Sequence, residues 1–300
     1  MKKMKKRALI LFDKIGLKAE ILGEKSGAQI ATFTDLLFDI NGSNLQVLVK
    51  GVDISEFGLV YIRRADHSHF ALAGSLARCL DKLKVPYFDR SFSEIGAAGD
   101  KLTSYLKLSI GGIPVPPTIF CMGVNIKRYE DYIISELGFP IVAKELVGQH
   151  MTGIYAISDK KQFEELPKKV GEKGRTAKYL FQKYIPLESE YRLLVLGDEV
   201  KVVHTKVPRD YSQLKLNYSN MDEYEKYLKV DSISSEMQEI AVNAAKCLNI
   251  QIAGVDLAVE KGTGKAYIFE VNRGPGFNYD TSVGPEISEV IKFLDKKLSK

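Results

Sequence analysis

Cysteine is scarce in this chain, and long apolar runs are missing. Only three cysteines occur in 300 residues, Cys79, Cys121 and Cys247, and they are far apart and odd in number. That argues against a disulfide framework or a cysteine zinc site and for reduced thiols in a cytoplasmic setting. No apolar run approaches the ~20 residues needed to span a bilayer, so no membrane partner is expected. No internal repeat or low-complexity segment is evident. A basic body is missing as well. The net charge is +5, from 43 basic and 38 acidic residues. Lys2, Lys3, Lys5, Lys6 and Arg7 supply that whole excess and leave a neutral body. Nucleic-acid binding wants a basic face on the folded domain, so that reading is poorly supported. The start MKKMKKRALILF is basic and then apolar, like a signal peptide. Its apolar part is only Ala8–Phe12, shorter than the ~7–15 residues of a signal core, and no small-residue cleavage site follows. A first strand behind a solvated basic tail is the better reading.

What the chain does contain is ordinary for a globular protein: 45% hydrophobic and 27% charged residues. Its first hundred residues alternate strand and helix signals. Ala8–Phe12, Leu45–Lys50, Gly58–Ile62 and Val85–Phe88 read as strands, and Phe70–Leu83 carries apolar residues at helical spacing. This alternation predicts a small α/β domain with a mainly parallel sheet over 1–96. A second unit, 97–300, begins with a helix over Asp100–Ser109, capped by Gly99 or Asp100 and ended by Gly111-Gly112. Further strands are expected at Phe139–Lys144, Lys178–Tyr184, Tyr191–Leu196 and Val200–Thr205. A charged stretch, Ser158–Arg175, should hold a helix and a loose loop. Residues 207–233 read as a mobile loop. Ser235–Leu248 has one apolar stripe, with Ser235 and Gln238 as a capping box.

The most informative segment follows that helix. AGVDLAVE, KGTGK and AYIFEVN form a hairpin pattern. A three-residue loop, Gly262–Gly264, would set Val255 opposite Val271, Leu257 opposite Phe269 and Val259 opposite Tyr267, giving one apolar face. On the other face Asp256 then lies opposite Glu270, with Asn272 two residues along. Two opposed carboxylates repel, so something positive should sit between them. Hard oxygen ligands of this kind suit Mg²⁺ held together with phosphates. The competing reading, a solvated face carrying two acids, is weakened by Ala258 and Ile268, which that register puts on the same face. The strand then stops at Gly274-Pro275-Gly276. A turn explains this tripeptide by itself; backbone N–H groups turned toward an anion are the functional alternative.

Taken in order, GDKLTSYLKLSIGGIPVPPT from Gly99, FPIVAK from Phe139, LFQKYIP from Leu180, YRLLVLGDEV from Tyr191, AGVDLAV from Ala253 and FEVNRGPGF from Phe269 resemble the ATP-grasp superfamily, in particular its RimK-type carboxylate–amine ligases. The resemblance covers the last two thirds of the chain. It implies an N-terminal α/β domain followed by an ATP-grasp fold, two α+β subdomains clamping ATP, with a central lid subdomain at about 115–180. It also implies roles. Lys101 and Lys144 are similar to the two phosphate lysines. Gln182, Lys183, Tyr184 and Ile185 resemble the segment that holds adenine, and Glu190 the ribose-hydroxyl acid. Asp256, Glu270 and Asn272 resemble the ligands of two Mg²⁺ ions (Mn²⁺ being an alternative), with Glu270 bridging. Lys206 stands where the family has an arginine that steadies the transferred phosphoryl group, and Gly276 lies in the substrate-facing loop. Two departures stand out. The phosphate-covering loop LVGQHMTGIY keeps Gly148 and Gly153 but carries Met151 where a glycine is usual. The acceptor-binding arginine is matched by Arg209 or Lys215 in PRDYSQLKLNYS.

For each of these residues there is a plainer structural reading: Lys144 as a snorkelling strand-end lysine, Lys101 as a first-turn lysine, Glu190 and Lys206 as solvent-facing strand residues. A lysine at a helix N-terminus is mildly unfavourable, which makes a nearby phosphate more plausible. The resemblance implies an ATP-dependent, ADP-forming carbon–nitrogen ligase acting through an acylphosphate on an amino acid or peptide. Alternatives are a D-alanine–D-alanine-type or glutathione-type ligase, or an ATP-binding module without ligase activity. A homo-oligomer is suggested only by the resemblance.

Overall fold

The computed structural model describes residues 7–41, 44–65, 69–94, 101–146, 154–171, 178–206, 226–276 and 285–299. The expected boundary near Ala97, the caps Gly99 and Asp100, the glycine loop with Gly148, Met151 and Gly153, and the segment with Arg209 and Lys215 lie outside these residues.

The N-terminal portion runs β1 (Ala8–Phe12), α1 (Leu17–Ser26), β2 (Gln29–Thr32), β3 (Leu36–Asn41), β4 (Asn44–Val49), β5 (Val52–Asp53), β6 (Leu59–Ile62), α2 (Phe70–Leu83) and β7 (Tyr87–Phe88). Strands β2-β1-β6-β7 form a parallel sheet, as the alternation predicts. The strand expected at Leu45–Lys50 is not part of it. It is the centre of a separate antiparallel sheet, β3-β4-β5, because the short connections before and after it suit antiparallel neighbours and not the long crossover that parallel strands need. Every residue of β1 is buried, and its alternation explains why. Leu9 and Leu11 pack into a core with Leu76 and Leu80 of α2, whereas Ile10 and Phe12 enter a second core on the other face.

The chain continues with α3 (Lys101–Ile110), β8 (Thr118–Met122), α4 (Glu130–Leu137), β9 (Ile141–Glu145), β10 (Ile154–Ile157), α5 (Lys160–Gly171) and β11 (Lys178–Lys183). These strands form an antiparallel sheet in the order β10-β9-β11-β8. Ile141, Ala143, Tyr179 and Phe181 bury one face of it against Ile133 and Leu137 of α4 and Phe163 and Leu166 of α5. Alternation turns Val142, Lys144, Leu180 and Gln182 to the opposite face, as the pairs Lys144–Leu180 and Val142–Gln182 require.

The last portion comprises β12 (Leu187–Leu196), β13 (Glu199–Lys206), β14 (Tyr227–Leu228), α6 (Ser235–Cys247), β15 (Ile252–Glu260), β16 (Ala266–Arg273) and α7 (Pro285–Leu298). Its antiparallel sheet has the order β14-β13-β12-β15-β16. The stretch read as a mobile loop is ordered from 226 onward, where β14 adds to the edge of β13. The N-cap of α6 is Ser234, not Ser235: its side chain accepts from the Met237 N–H. One sheet face, with Leu193, Val195, Val255 and Leu257, packs on α6. On the other face, Leu194, Leu196, Val202 and Ile252 join Ile10, Phe12 and Tyr61 of the N-terminal sheet and Ile287, Val290 and Leu294 of α7 in one core. Half of that face is therefore covered, and the uncovered half carries the charges.

Candidate functional site

The hairpin β15–β16 keeps the expected pairing at its open end. Val255 faces Val271 and Asp256 faces Glu270. Beyond that the register shifts. The closing loop is Lys261–Gly264, four residues, with the Glu260 N–H donating to the Lys265 carbonyl at 2.9 Å. Leu257 therefore lies opposite Ile268, and Val259 opposite Ala266, in place of Phe269 and Tyr267. Phe269 is the extra residue of a β-bulge, which re-aims side chains locally. Ile268 joins the α6 core and not the carboxylate face, correcting the expectation for that residue. Phe269 instead meets the central sheet: Lys144 Nζ is 5.6 Å from its ring centroid, and the Tyr105 hydroxyl of α3 donates to its carbonyl at 2.6 Å.

That contact brings two sheet faces together. Lys144, only 7% exposed, projects from β9 over the bulge that directly precedes Glu270. Lys101 is one turn before Tyr105, on the same face of α3, so the helix that touches the bulge carries a second lysine on that side. Gln182, 2% exposed, lies on the same face as Lys144. Thr118 gives its hydroxyl proton to the Pro116 carbonyl at 2.7 Å, so it must accept from Gln182 Nε2, at 2.9 Å. This fixes the amide orientation and leaves the buried Gln182 Oε1 with no hydrogen-bond partner among the described residues. A buried acceptor of this kind calls for an N–H donor. Beside it, Ile185 is buried, Tyr184 half-buried and Lys183 exposed, and the Lys183 and Tyr184 N–H groups donate to the carbonyls of Pro117 and Pro140.

On the facing sheet, β12 presents Glu190 and Arg192, β13 presents His204 and Lys206, and β15 presents Asp256. Arg192 was not anticipated from sequence. It lies opposite Asp256 and grips it with two bonds, Nε to Oδ1 at 2.8 Å and Nη2 to Oδ2 at 3.0 Å. Lys206 Nζ is 3.2 Å from both Asp256 Oδ2 and Glu190 Oε1. Asp256 is 1% exposed, and a carboxylate so buried needs this pairing. The positive charge expected between Asp256 and Glu270 is thus partly supplied by side chains, all of it on Asp256. Glu270 and Asn272 are half-buried and carry no ion pair or side-chain hydrogen bond among the described residues. No group of three or more His, Cys, Asp and Glu side chains gathers as a metal cluster among those residues. A carboxylate and an amide with unengaged oxygens nevertheless fit a hard divalent cation on the Glu270–Asn272 edge, and Asp256 can join only by sharing oxygens that Arg192 and Lys206 now hold.

The Gly-Pro-Gly turn belongs to this site for a steric reason. Gly274 has φ +53°, and a Cβ there would come within 1.8 Å of the Arg63 carbonyl. A Cβ on Gly254 would meet the Pro275 ring at 2.7 Å. Arg63, buried just past β6, donates from Nη2 to the Pro275 carbonyl at 2.7 Å. The N-terminal portion therefore clamps the turn that follows the Glu270 and Asn272 positions. Gly276 is exposed, and no atom of the described residues lies within 4 Å of where its Cβ would be. Arg63 and Phe269, like Arg192, escaped sequence reasoning, since each acts through a tertiary contact.

The domain and the fold have counterparts among known proteins. A family model for the RimK-like ATP-grasp domain matches residues 98–292. A protein of Chromohalobacter salexigens described as a probable alpha-L-glutamate ligase is 29% identical over 254 residues, covering 83% of this chain and 80% of that protein. The ATP-grasp ligase PsnB, complexed with a minimal precursor, superposes with a TM-score of 0.71 at 14% identity, over 98% of this chain and all of that one (100%). The D-alanine–D-alanine ligase of Bacillus anthracis, complexed with ATP, gives 0.65 at 18% identity, over 98% of this chain and 96% of that one. These two likenesses concern the fold. With the domain match spanning most of its length, the chain belongs to the RimK-like ATP-grasp family and is an ADP-forming ligase that makes amide bonds with ATP.

Proposed function

We propose that ATP lies between the central and C-terminal sheets and activates a carboxylate of an amino acid or peptide. The observation that carries this reading is Lys144, held buried over the bulge beside Glu270. In this reading Gln182 Oε1 accepts from the adenine amino group, backbone groups at Lys183–Ile185 line the base, and Glu190 meets the ribose. Lys144 and Lys101 hold phosphate oxygens, with Gly148 in the loop that covers them. Asp256, Glu270 and Asn272 would hold Mg²⁺, as one ion or two, which supplies charge neutralisation at the phosphates.

The substrate carboxylate oxygen attacks the γ-phosphorus, the bond to the β-bridging oxygen breaks and ADP leaves. The amine nitrogen then attacks the acylphosphate carbon, loses a proton and expels phosphate, leaving an amide. Phosphoryl transfer of this kind needs mostly positioning and charge stabilisation, which lysines at fixed distances provide. Lys206 steadies the transferred group, Arg209 serves the acceptor, and N–H groups at Gly276 face the tetrahedral oxyanion. Relatives described as probable alpha-L-glutamate ligases favour L-glutamate as a substrate, while the peptide-bound fold relatives favour a peptide acceptor. Three free cysteines fit a cytoplasmic setting. ADP release measured over a panel of amino acids and short peptides, with L-glutamate present or absent and products weighed by mass spectrometry, tests the reading. Amide product from one pair supports it; no substrate-dependent ADP release across the panel overturns it.

A further inference from the structure

Beyond the nucleotide site, the uncovered half of the C-terminal sheet ends in a small cleft. Arg192 and His204 form its floor, Gly254, Pro275 and Gly276 one wall, and Glu286 of α7 the other. Glu286 is unusual there. It is 8% exposed and, among the described residues, receives one hydrogen bond, from the Tyr227 hydroxyl to Oε1 at 2.7 Å. Its second oxygen, Oε2, is buried without a hydrogen-bond partner among the described residues. Nothing in the chemistry of ATP explains a buried carboxylate oxygen in this place. An acid near the N-terminus of a helix is favourably placed, but that field does not satisfy a desolvated acceptor.

We propose that Glu286 Oε2 receives the ammonium group of an α-amino acid substrate, setting its nitrogen beside Gly276. The surrounding charges fit the rest of such a molecule. Lys18 of α1 has its pKa lowered first by burial and then by Arg63 and Arg64, and raised by Glu286, so three cations lie within electrostatic reach of one another and Lys18 within reach of this acid. Cations suit the carboxylates of an acidic amino acid, and Glu286 suits its ammonium. Arg192 adds a guanidinium on the floor, already engaged with Asp256. The His204 ring lies 4.9 Å from that of Tyr227, tilted by 48°, and Tyr227 orients Glu286, so the floor and the anchoring carboxylate are in contact through one residue. This inference deepens the ligase reading and rests on it for the reaction, though not for the binding.

Calorimetric titration of L-glutamate and N-acetyl-L-glutamate into the full chain tests the proposal, with ADP release followed in parallel. The comparison includes Glu286→Gln, which keeps the acceptor for Tyr227 and removes the charge, and Tyr227→Phe, which removes only that bond. L-glutamate should bind the wild type and the N-acetyl compound should not. Glu286→Gln should weaken L-glutamate at least ~tenfold, and Tyr227→Phe by less than about threefold. Thermal unfolding checks that both variants fold. Equal affinity in wild type and Glu286→Gln, or equal binding of the acetylated compound, overturns the site. Failure of the wild type to bind L-glutamate, glycine or L-lysine overturns it as well. ADP release unaffected by Glu286→Gln would leave the ligase standing and remove the subsite. Glu286-dependent binding without any ADP release would do the reverse.

Discussion

Arg192 holds Asp256 by both carboxylate oxygens, at 2.8 and 3.0 Å, from the neighbouring strand of the same sheet. Asp256 is 1% exposed, whereas the arginine side chain is 35% exposed. Arg192→Ala removes both of these bonds but leaves Lys206 on the carboxylate, and water can enter from the arginine's side. The loss should therefore fall below the full cost of an unpaired buried charge, at ~1–3 kcal/mol in urea unfolding. Arg192→Lys should recover part of it but not the two-point geometry. Turnover should fall in both, because Asp256 would no longer be held in register with Glu270. An Arg192→Ala protein with wild-type stability would show that the pair is not what keeps Asp256 in place.

Glu270 behaves differently because it is half-buried and has no ion pair among the described residues. Glu270→Gln keeps its shape and removes its charge. The unfolding free energy should change by less than ~1 kcal/mol, as for a substitution that opens no cavity and orphans no partner. ADP release should drop by at least ~100-fold, the scale of losing a charge-stabilising group in a phosphoryl-transfer site. Near-normal turnover in this variant would remove Glu270 from the cation-binding set.

The turn after β16 yields a stability prediction that is independent of chemistry. Gly274 sits at φ +53° with the Arg63 carbonyl 1.8 Å from where a Cβ would be. That neighbour is backbone and cannot rotate away. Gly274→Ala should cost ~2–4 kcal/mol, combining left-handed strain with displacement of the turn. Gly276→Ala, with no described residue near its Cβ position, should cost under ~0.5 kcal/mol. Guanidinium unfolding of the two variants side by side is the measurement. Similar losses at both positions would mean that Arg63 does not clamp the turn.

These residues also show how far the site could be read from sequence. The opposition of Asp256 and Glu270 was legible because a one-residue slip near them would mix polar and apolar side chains. The bulge was not legible, because Ile268 and Phe269 are both apolar and either one satisfies the pattern opposite Leu257. The buried strand β1 and the stripe on α2 were legible because local periodicity decides them. The placement of β4 was not, since an apolar alternation does not say which sheet it joins. Glu190 and Arg192 visibly share a strand face, yet only the register of β12 on β15 sets Arg192 against Asp256. Arg63 lies 212 residues from Pro275 in the chain, and no local pattern links them.

Asp89 makes stability depend on pH at the junction of the N-terminal and C-terminal sheets. It accepts from the Gln251 and Ile252 N–H groups at 2.9 and 3.1 Å. Full burial raises its pKa from 3.8 to about 7, against the pull of those bonds and of Arg273. Between these two values the folded protein keeps a proton that the unfolded chain releases. Stability from this group is therefore greatest at the acid end, declines as pH rises through that window, and levels off above about 7. Asp89→Asn keeps an acceptor for both N–H groups and removes the titration, though it also withdraws the charge facing the half-buried Arg273. In urea unfolding from pH 4 to pH 8, wild-type stability relative to the variant should fall by up to ~4 kcal/mol across the window, at ~1.4 kcal/mol for each pH unit between the two values. A pH-independent difference would mean that Asp89 titrates in the ordinary carboxylate range, and that the junction tolerates its charge.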